Sequence, residues 1–288
     1  MKINTKFLLP AVLLLSVLGN SATAKDAAKK KRIGSIYASW GYNTEWYTPS
    51  TVKIKQPSLG NDYQMVKVDA HDHRGWDEGL LHMDFTIPQY NYRLGYYFND
   101  KQDLAFEINF DHTKYIITDN QSVHIKGTMN NAPVDQHITF SEANGFYYFL
   151  NNGANFLLFN LVKRVGLYHT ADRNLYVDLT GKAGIGPVIP HVQNSLFGKL
   201  NNQGFQLGGW NTGLETALRV TFMKYAYFEF SQKVDYARYS NLRVYEGRAK
   251  QSFGTYELIL SVGTILPRGK GNPLFTPVEK EAPAPAEK

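Results

Sequence analysis

The chain has 288 residues, 31 Lys and Arg against 25 Asp and Glu, 43% hydrophobic residues and no cysteine. The lack of cysteine excludes a disulfide framework, a thiolate nucleophile and a thiolate metal site. A mean hydropathy below zero is at odds with a helical membrane protein. The formal charge of +6 is gathered at one end of the chain and makes no case for nucleic-acid binding.

Residues 1–24 read as a cleaved secretory signal: Lys2 and Lys6, an apolar run from Phe7 to Leu18, then the small-residue site Ala22-Thr23-Ala24. The apolar run is about a dozen residues, short of the roughly 20 that span a bilayer as a helix. Its removal takes away two lysines and leaves +4, all of it carried by the basic stub 25–32 with five bases and one acid.

From residue 33 onward, eight segments alternate with a period of two, the mark of a strand with two unlike faces. The first, 33–48, sets Ile36, Ala38, Trp40 and Tyr42 against Ser35, Ser39, Asn43 and Glu45. A long connection, 49–86, carries Asp69, His71 and His73, whose spacing on an extended arm is workable for zinc or copper but makes only a partial ligand set. The second segment, 87–98, points Tyr90, Tyr92, Leu94, Tyr96 and Phe98 one way and Gln89, Asn91 and Arg93 the other. After the short turn 99–103 comes the third, 104–117. Continuing its apolar face places His112 and Lys114 toward lipid near the rim, in reach of lipopolysaccharide phosphates.

A second long connection, 118–155, leads to the fourth segment, 156–168, where Lys163 falls among apolar neighbours. A lipid-facing lysine near the midplane costs about 2–4 kcal/mol, which a bulge or snorkelling would relieve. The turn 170–174, the fifth segment 175–189, the connection 190–204 and the sixth segment 205–222 follow. The short turn 223–225, the seventh segment 226–239, the connection 240–251 and the eighth segment 252–266 complete the series. Residues 267–288, ending Ala-Pro-Ala-Pro-Ala-Glu-Lys, read as an unfolded tail.

Short turns alternating with long loops imply an all-β, eight-stranded antiparallel up-and-down transmembrane β-barrel over 33–266, with both termini periplasmic and long extracellular loops. A soluble lipocalin-type barrel is the alternative, with its faces reversed. The membrane arrangement gathers Glu45, Arg93, Glu107, Asp111, Arg164, Asp178, Lys182, Glu215, Arg219, Glu229, Lys233, Asp235 and Glu257 in the lumen as a charge-paired network, since isolated charges away from water are costly.

The layout, with strands such as Gly209-Trp-Asn-Thr-Gly-Leu-Glu-Thr-Ala-Leu-Arg-Val-Thr-Phe222, resembles small eight-stranded outer-membrane proteins of the OmpA and OmpX type. Phe110-Asp-His-Thr-Lys-Tyr115 and Gly184-Ile-Gly-Pro-Val-Ile-Pro-His191, with that strand, resemble an uncharacterised Gram-negative outer-membrane family over most of 33–266. The resemblance implies a fold and a bacterial outer-membrane location, and brings no catalytic residues. The expectation is therefore a monomeric, non-enzymatic barrel with a structural or surface-binding role and no cofactor. Its partners would be outer-membrane lipids and lipopolysaccharide, the barrel assembly machinery and an extracellular ligand held by the loops, with no nucleic acid. The rival readings are a lipid A-modifying enzyme and a narrow small-solute channel. No serine-centred motif lies near His112, and His191 with Ser195 is no more than a loop pair.

Overall fold

A computed structural model describes residues 34–73, 89–98, 102–150, 153–223 and 225–267. The expected leader, the basic stub and the tail beyond Pro267 lie outside the described residues. The strands begin with β1 (Ser35–Tyr47), β2 (Ser50–Gln56), β3 (Asn61–Val68), β4 (Ala70–His71), β5 (Tyr90–Tyr97) and β6 (Leu104–Asp111). Next come β7 (Tyr115–Ile117), β8 (Gln121–Met129), β9 (Ala132–Phe140), β10 (Tyr147–Leu150), β11 (Phe156–His169) and β12 (Leu175–Val188). The series ends with β13 (Val192–Leu196), β14 (Lys199–Gln203), β15 (Gly209–Phe222), β16 (Ala226–Val244) and β17 (Gly247–Pro267).

Eight of these strands close a ring. β1 pairs with β5, β5 with β6, β6 with β11 and β11 with β12. β12 pairs with β15, β15 with β16, β16 with β17, and β17 returns to β1 over its whole length from Ser35↔Pro267 to Tyr47↔Thr255. All are antiparallel, so the ring is the up-and-down barrel expected from the alternation, with no open edge among its strands.

The alternation also sorts the faces. On β16, Glu229, Ser231, Lys233 and Asp235 point inward and are buried, while Phe228, Phe230 and Tyr236 point outward and are exposed. Leu94, Ile108, Leu161, Leu214 and Leu260 continue the apolar outer belt on the other strands. Aromatic pairs edge it: Trp46 with Tyr256 and Trp210 with Tyr236 toward one end, Phe222 with Phe228 toward the other. Apolar outside and charged inside is the reverse of a soluble lipocalin.

Short turns join the strands at the end that holds both termini of the barrel. In one of them Thr170 Oγ1 and the Asn174 amide donate to Asp172, and these bonds hold its carboxyl below the usual range. Lys163 lies near this end and not at the midplane, because its partner across the ladder is Leu104, the first residue of β6. Its ammonium pairs with Asp103 at 2.6 Å, and no bulge falls at Lys163, the one register shift of this ladder lying further on, between Gly166 and Tyr168.

The described parts of the long connections at the other end form strands. β2 adds to the upper part of β17, β3 to β2, β8 to β3 and β9 to β8, extending the wall outward from the barrel. β4 pairs with β1 and β7, β7 with β10, β10 with β13, and β13 with β14. The segment 240–251, expected as a loop, is a continuous hairpin: β16 and β17 stay paired to Val244↔Gly247, with one register shift between Tyr239 and Leu242.

Candidate functional site

All thirteen charged residues assigned to the lumen point inward and are buried. They fill it in floors. Lowest lies an aromatic floor of Tyr37, Tyr97 and Tyr227 with Ala105, Val162 and Ile265. Tyr37 stands opposite Gly95 and Tyr227 opposite Gly263, and a methyl group on either glycine would land in the facing ring. Glycine there lets each ring lie across its neighbouring strand, an arrangement that makes good the glycine's missing side chain. The guanidinium of Arg219 sits over both rings, at 4.8 Å from Tyr37 and 4.1 Å from Tyr227, while Arg164 covers Tyr97.

Above this floor the charges interlock. Arg219 pairs with Glu229 at 2.7 Å, and Lys182 reaches Glu229 and Glu215 at 3.0 Å each and Glu107 at 3.4 Å. Arg93 closes the set on Glu215 at 3.0 Å, and Tyr37 and Asn160 donate hydrogen bonds to Glu107. Higher still, Lys233 faces Asp111 at 2.5 Å, Asp235 at 3.0 Å and Glu257 at 3.6 Å. Glu45 accepts from Asn43 and Gln89, and its backbone amide donates to Asp72, which comes from the first long connection. Charges held this far from water persist only because each has opposite charges or donors around it.

The mouth above Asp72 is closed by an apolar core to which all four long connections contribute. Val52, Ile54 and Met65 come from the first, Tyr115, Val123 and Phe140 from the second, Val192 and Leu196 from the third, and Leu242 and Val244 from the extended β16–β17 hairpin. Tyr115 stacks on Phe253 at 4.5 Å and Tyr239 on the same ring at 5.5 Å. Burying one such side chain contributes about 1.5–3 kcal/mol, so these segments fold into a cap. Burial pushes the phenols of Tyr63, Tyr115 and Tyr148 in this cap well above the ordinary tyrosine value.

The other candidate residues do not assemble a reactive site. Asp69, His71 and His73 do not converge: His71 is exposed, its Nδ1 lies 2.6 Å from the Asp72 carbonyl, and no three His, Asp or Glu gather for a metal among the described residues. His112 follows the outer face as expected, but its ring stacks on Tyr90 and bonds Asn155 Oδ1 at 2.8 Å. Lys114 is not lipid-facing. β6 stops at Asp111, the chain turns before β7, and Lys114 is buried with its carbonyl accepting from Tyr47. Ser195 donates to the Gly145 carbonyl while His191 packs on Phe205, so the two are not a nucleophile and base.

A serine–histidine contact that the sequence did not suggest occurs on the β8–β9 hairpin, where Ser122 Oγ lies 3.3 Å from His137 Nδ1. His137 stacks on His124, which bonds Asp135 at 2.6 Å and holds that carboxyl below its usual range. The acid thus serves the other histidine, Ser122 and His137 are exposed, and the serine lacks the oriented base that acyl transfer needs.

No protein family and no curated protein matches the sequence. Among solved structures the chain is similar to the outer-membrane protein OprG from Pseudomonas aeruginosa, at 11% identity over 82% of this chain and 97% of that one, with a TM-score of 0.38. It is also similar to Ail, the attachment invasion locus protein of Yersinia pestis, at 16% identity over 81% and 99% of the two chains, with a TM-score of 0.34. The outer-membrane protein AlkL gives 11% identity, 88% and 99% coverage and a TM-score of 0.33. At such scores the likeness carries no argument; the barrel rests on this chain's own strand pairing.

Proposed function

We propose that this chain is a non-enzymatic barrel of a bacterial outer membrane, closed to solutes, whose long connections form a folded β platform outside the cell for structural or binding purposes. The observation that carries this reading is the filling of the barrel from end to end: an aromatic floor, interlocked charges and an apolar cap fed by all four connections. The apolar outer belt with aromatic edges supports residence in a bilayer, where only a closed barrel or a helix can satisfy its backbone. A filled lumen speaks against the channel reading, and the scattered histidines speak against lipid A chemistry.

Planar-bilayer recording tests the closure. The purified protein should give no conductance steps above the lipid baseline, and neither should the doubly truncated Arg93→Ala with Arg219→Ala, because the cap stays in place. Stable conductance from the intact protein would sink the reading. Heat-modifiable migration on a gel checks the barrel itself. Mass spectra of lipid A from cells with and without the protein should be identical if no enzyme is at work.

A further inference from the structure

The outer wall of the cap carries a column of bases with few acids beside it. Register places Arg243 of β16 directly opposite Arg248 of β17, and Arg248 directly opposite Lys55 of β2, so three cations stand abreast on one face. Two residues along β17, Lys250 stands directly opposite Lys53 of β2. Arg238, on the same outward face of β16, stands lower on the wall. All six are exposed. Like charges directly opposite one another on a sheet are destabilising, and this register repeats the fault three times.

The fold offers little to offset it. Asp62 pairs with Lys55 at 3.4 Å in full solvent, and Glu246 is hydrogen-bonded to Ser58. Five of these cations, all but Arg238, edge an open groove of about 830 Å³ with only those two acids among the described residues, and Arg238, Lys250 and Lys53 line an adjoining recess in which no described residue is acidic. Apolar partners do not account for the bases either, since the opposite face of the same strands, with Ile54, Val244 and Ala249, already supplies the cap core.

Position selects the occupant. The column stands on the side of the barrel wall, on the face that lower down carries Phe228, Phe230, Leu260 and the aromatic edge of Tyr236 and Tyr256. Arg238 follows Tyr236 by two residues, roughly 7 Å along the strand, and Lys250 lies roughly 20 Å along β17 from Tyr256. The bases therefore span the depth at which a membrane glycolipid carries phosphates on its proximal sugars. The geometry points to a lateral binding site, formed by Arg238, Arg243, Arg248, Lys250, Lys53 and Lys55, for the phosphorylated saccharide of a glycolipid in the leaflet around the barrel. It rests on the reading that the barrel sits in the outer membrane with the cap outside.

The test uses the full mature chain in detergent with purified lipopolysaccharide as probe, either carrying its core phosphates or dephosphorylated. Binding is followed by the rise in the temperature at which heat-modifiable migration is lost. The phosphorylated form should raise it and the dephosphorylated form should not. Arg248→Gln with Lys250→Gln should weaken binding about tenfold or more, given what each base near an anionic surface contributes, and 0.5 M salt should do likewise. Without lipopolysaccharide this variant should melt no lower than the parent, because it removes like-charge contacts; that separates a ligand site from a structural one. Equal response to both forms of the probe, or equal binding by parent and variant, would overturn the proposal. Binding of soluble heparin through the same residues with no response to lipopolysaccharide would overturn the glycolipid assignment. Migration that boiling leaves unchanged would instead remove the barrel reading, and this proposal with it.

Discussion

Arg219 and Glu229 face each other directly across the β15–β16 ladder and close at 2.7 Å beneath the charge network, with the guanidinium lying over Tyr37 and Tyr227. Both residues are fully buried. Removing one leaves the other charge without its partner, so Arg219→Ala should lower stability by about 3–5 kcal/mol. Replacing both by methionine should cost much less than that single change. Urea unfolding of detergent-refolded protein, followed by tryptophan fluorescence, gives both values, and equal losses would contradict the pairing.

The glycines opposite the floor tyrosines make a second prediction. Gly95→Val forces the Tyr37 ring off its neighbouring strand and with it the contact to Arg219. Overpacking of this kind costs about 1–3 kcal/mol. Gly204, where a side chain would meet open space, should accept the same residue with little change in the urea midpoint.

Phe253 joins the stacks of Tyr115 and Tyr239 and meets Tyr47 edge-on at 5.3 Å. Phe253→Ala should loosen the cap by about 3–5 kcal/mol while leaving the ring of eight strands paired. Limited proteolysis is the readout: cleavage within 49–71 or 118–150 should appear in the variant, with heat-modifiable migration kept. An uncut cap would show that its core does not depend on this ring.

The cap tyrosines also fix a dependence on pH. In the unfolded chain a tyrosine ionises near 10, whereas burial raises Tyr63, Tyr115 and Tyr148 above that. The folded cap therefore holds protons that the unfolded chain gives up. Its stability is whole below about pH 10 and declines as pH rises beyond that value. Tyrosinate absorbance should rise in two stages on alkaline titration, the later one coinciding with protease sensitivity of the cap. A single stage near pH 10 with the cap intact would contradict the burial.

The barrel strands were legible because a period of two with charges on one face has few other readings, and the same parity identified the inward residues from Glu45 to Glu257. Lys163 was misplaced because parity gives a face and not a height; only pairing with Leu104 sets its level. Lys114 departs for a related reason, since parity holds only as far as Asp111, where the strand stops. The cap is not legible in the sequence, although Val52-Lys53-Ile54-Lys55 alternates plainly. Its strands are short, β9 is mostly polar, and the partners that bury their apolar faces come from distant connections. The basic column lay in those same segments, and its force depends on register, which no single strand displays.

The cap core takes residues from every long connection, the last of them on the β16–β17 hairpin. It cannot be assembled until each of these segments stands on the same side of the barrel, and the ring closes only when β17 meets β1. The cap is thus a single core held in common by segments that run from Val52 to Phe253. A change in any one connection is therefore felt by the other three, whose apolar side chains lose part of the same shared core.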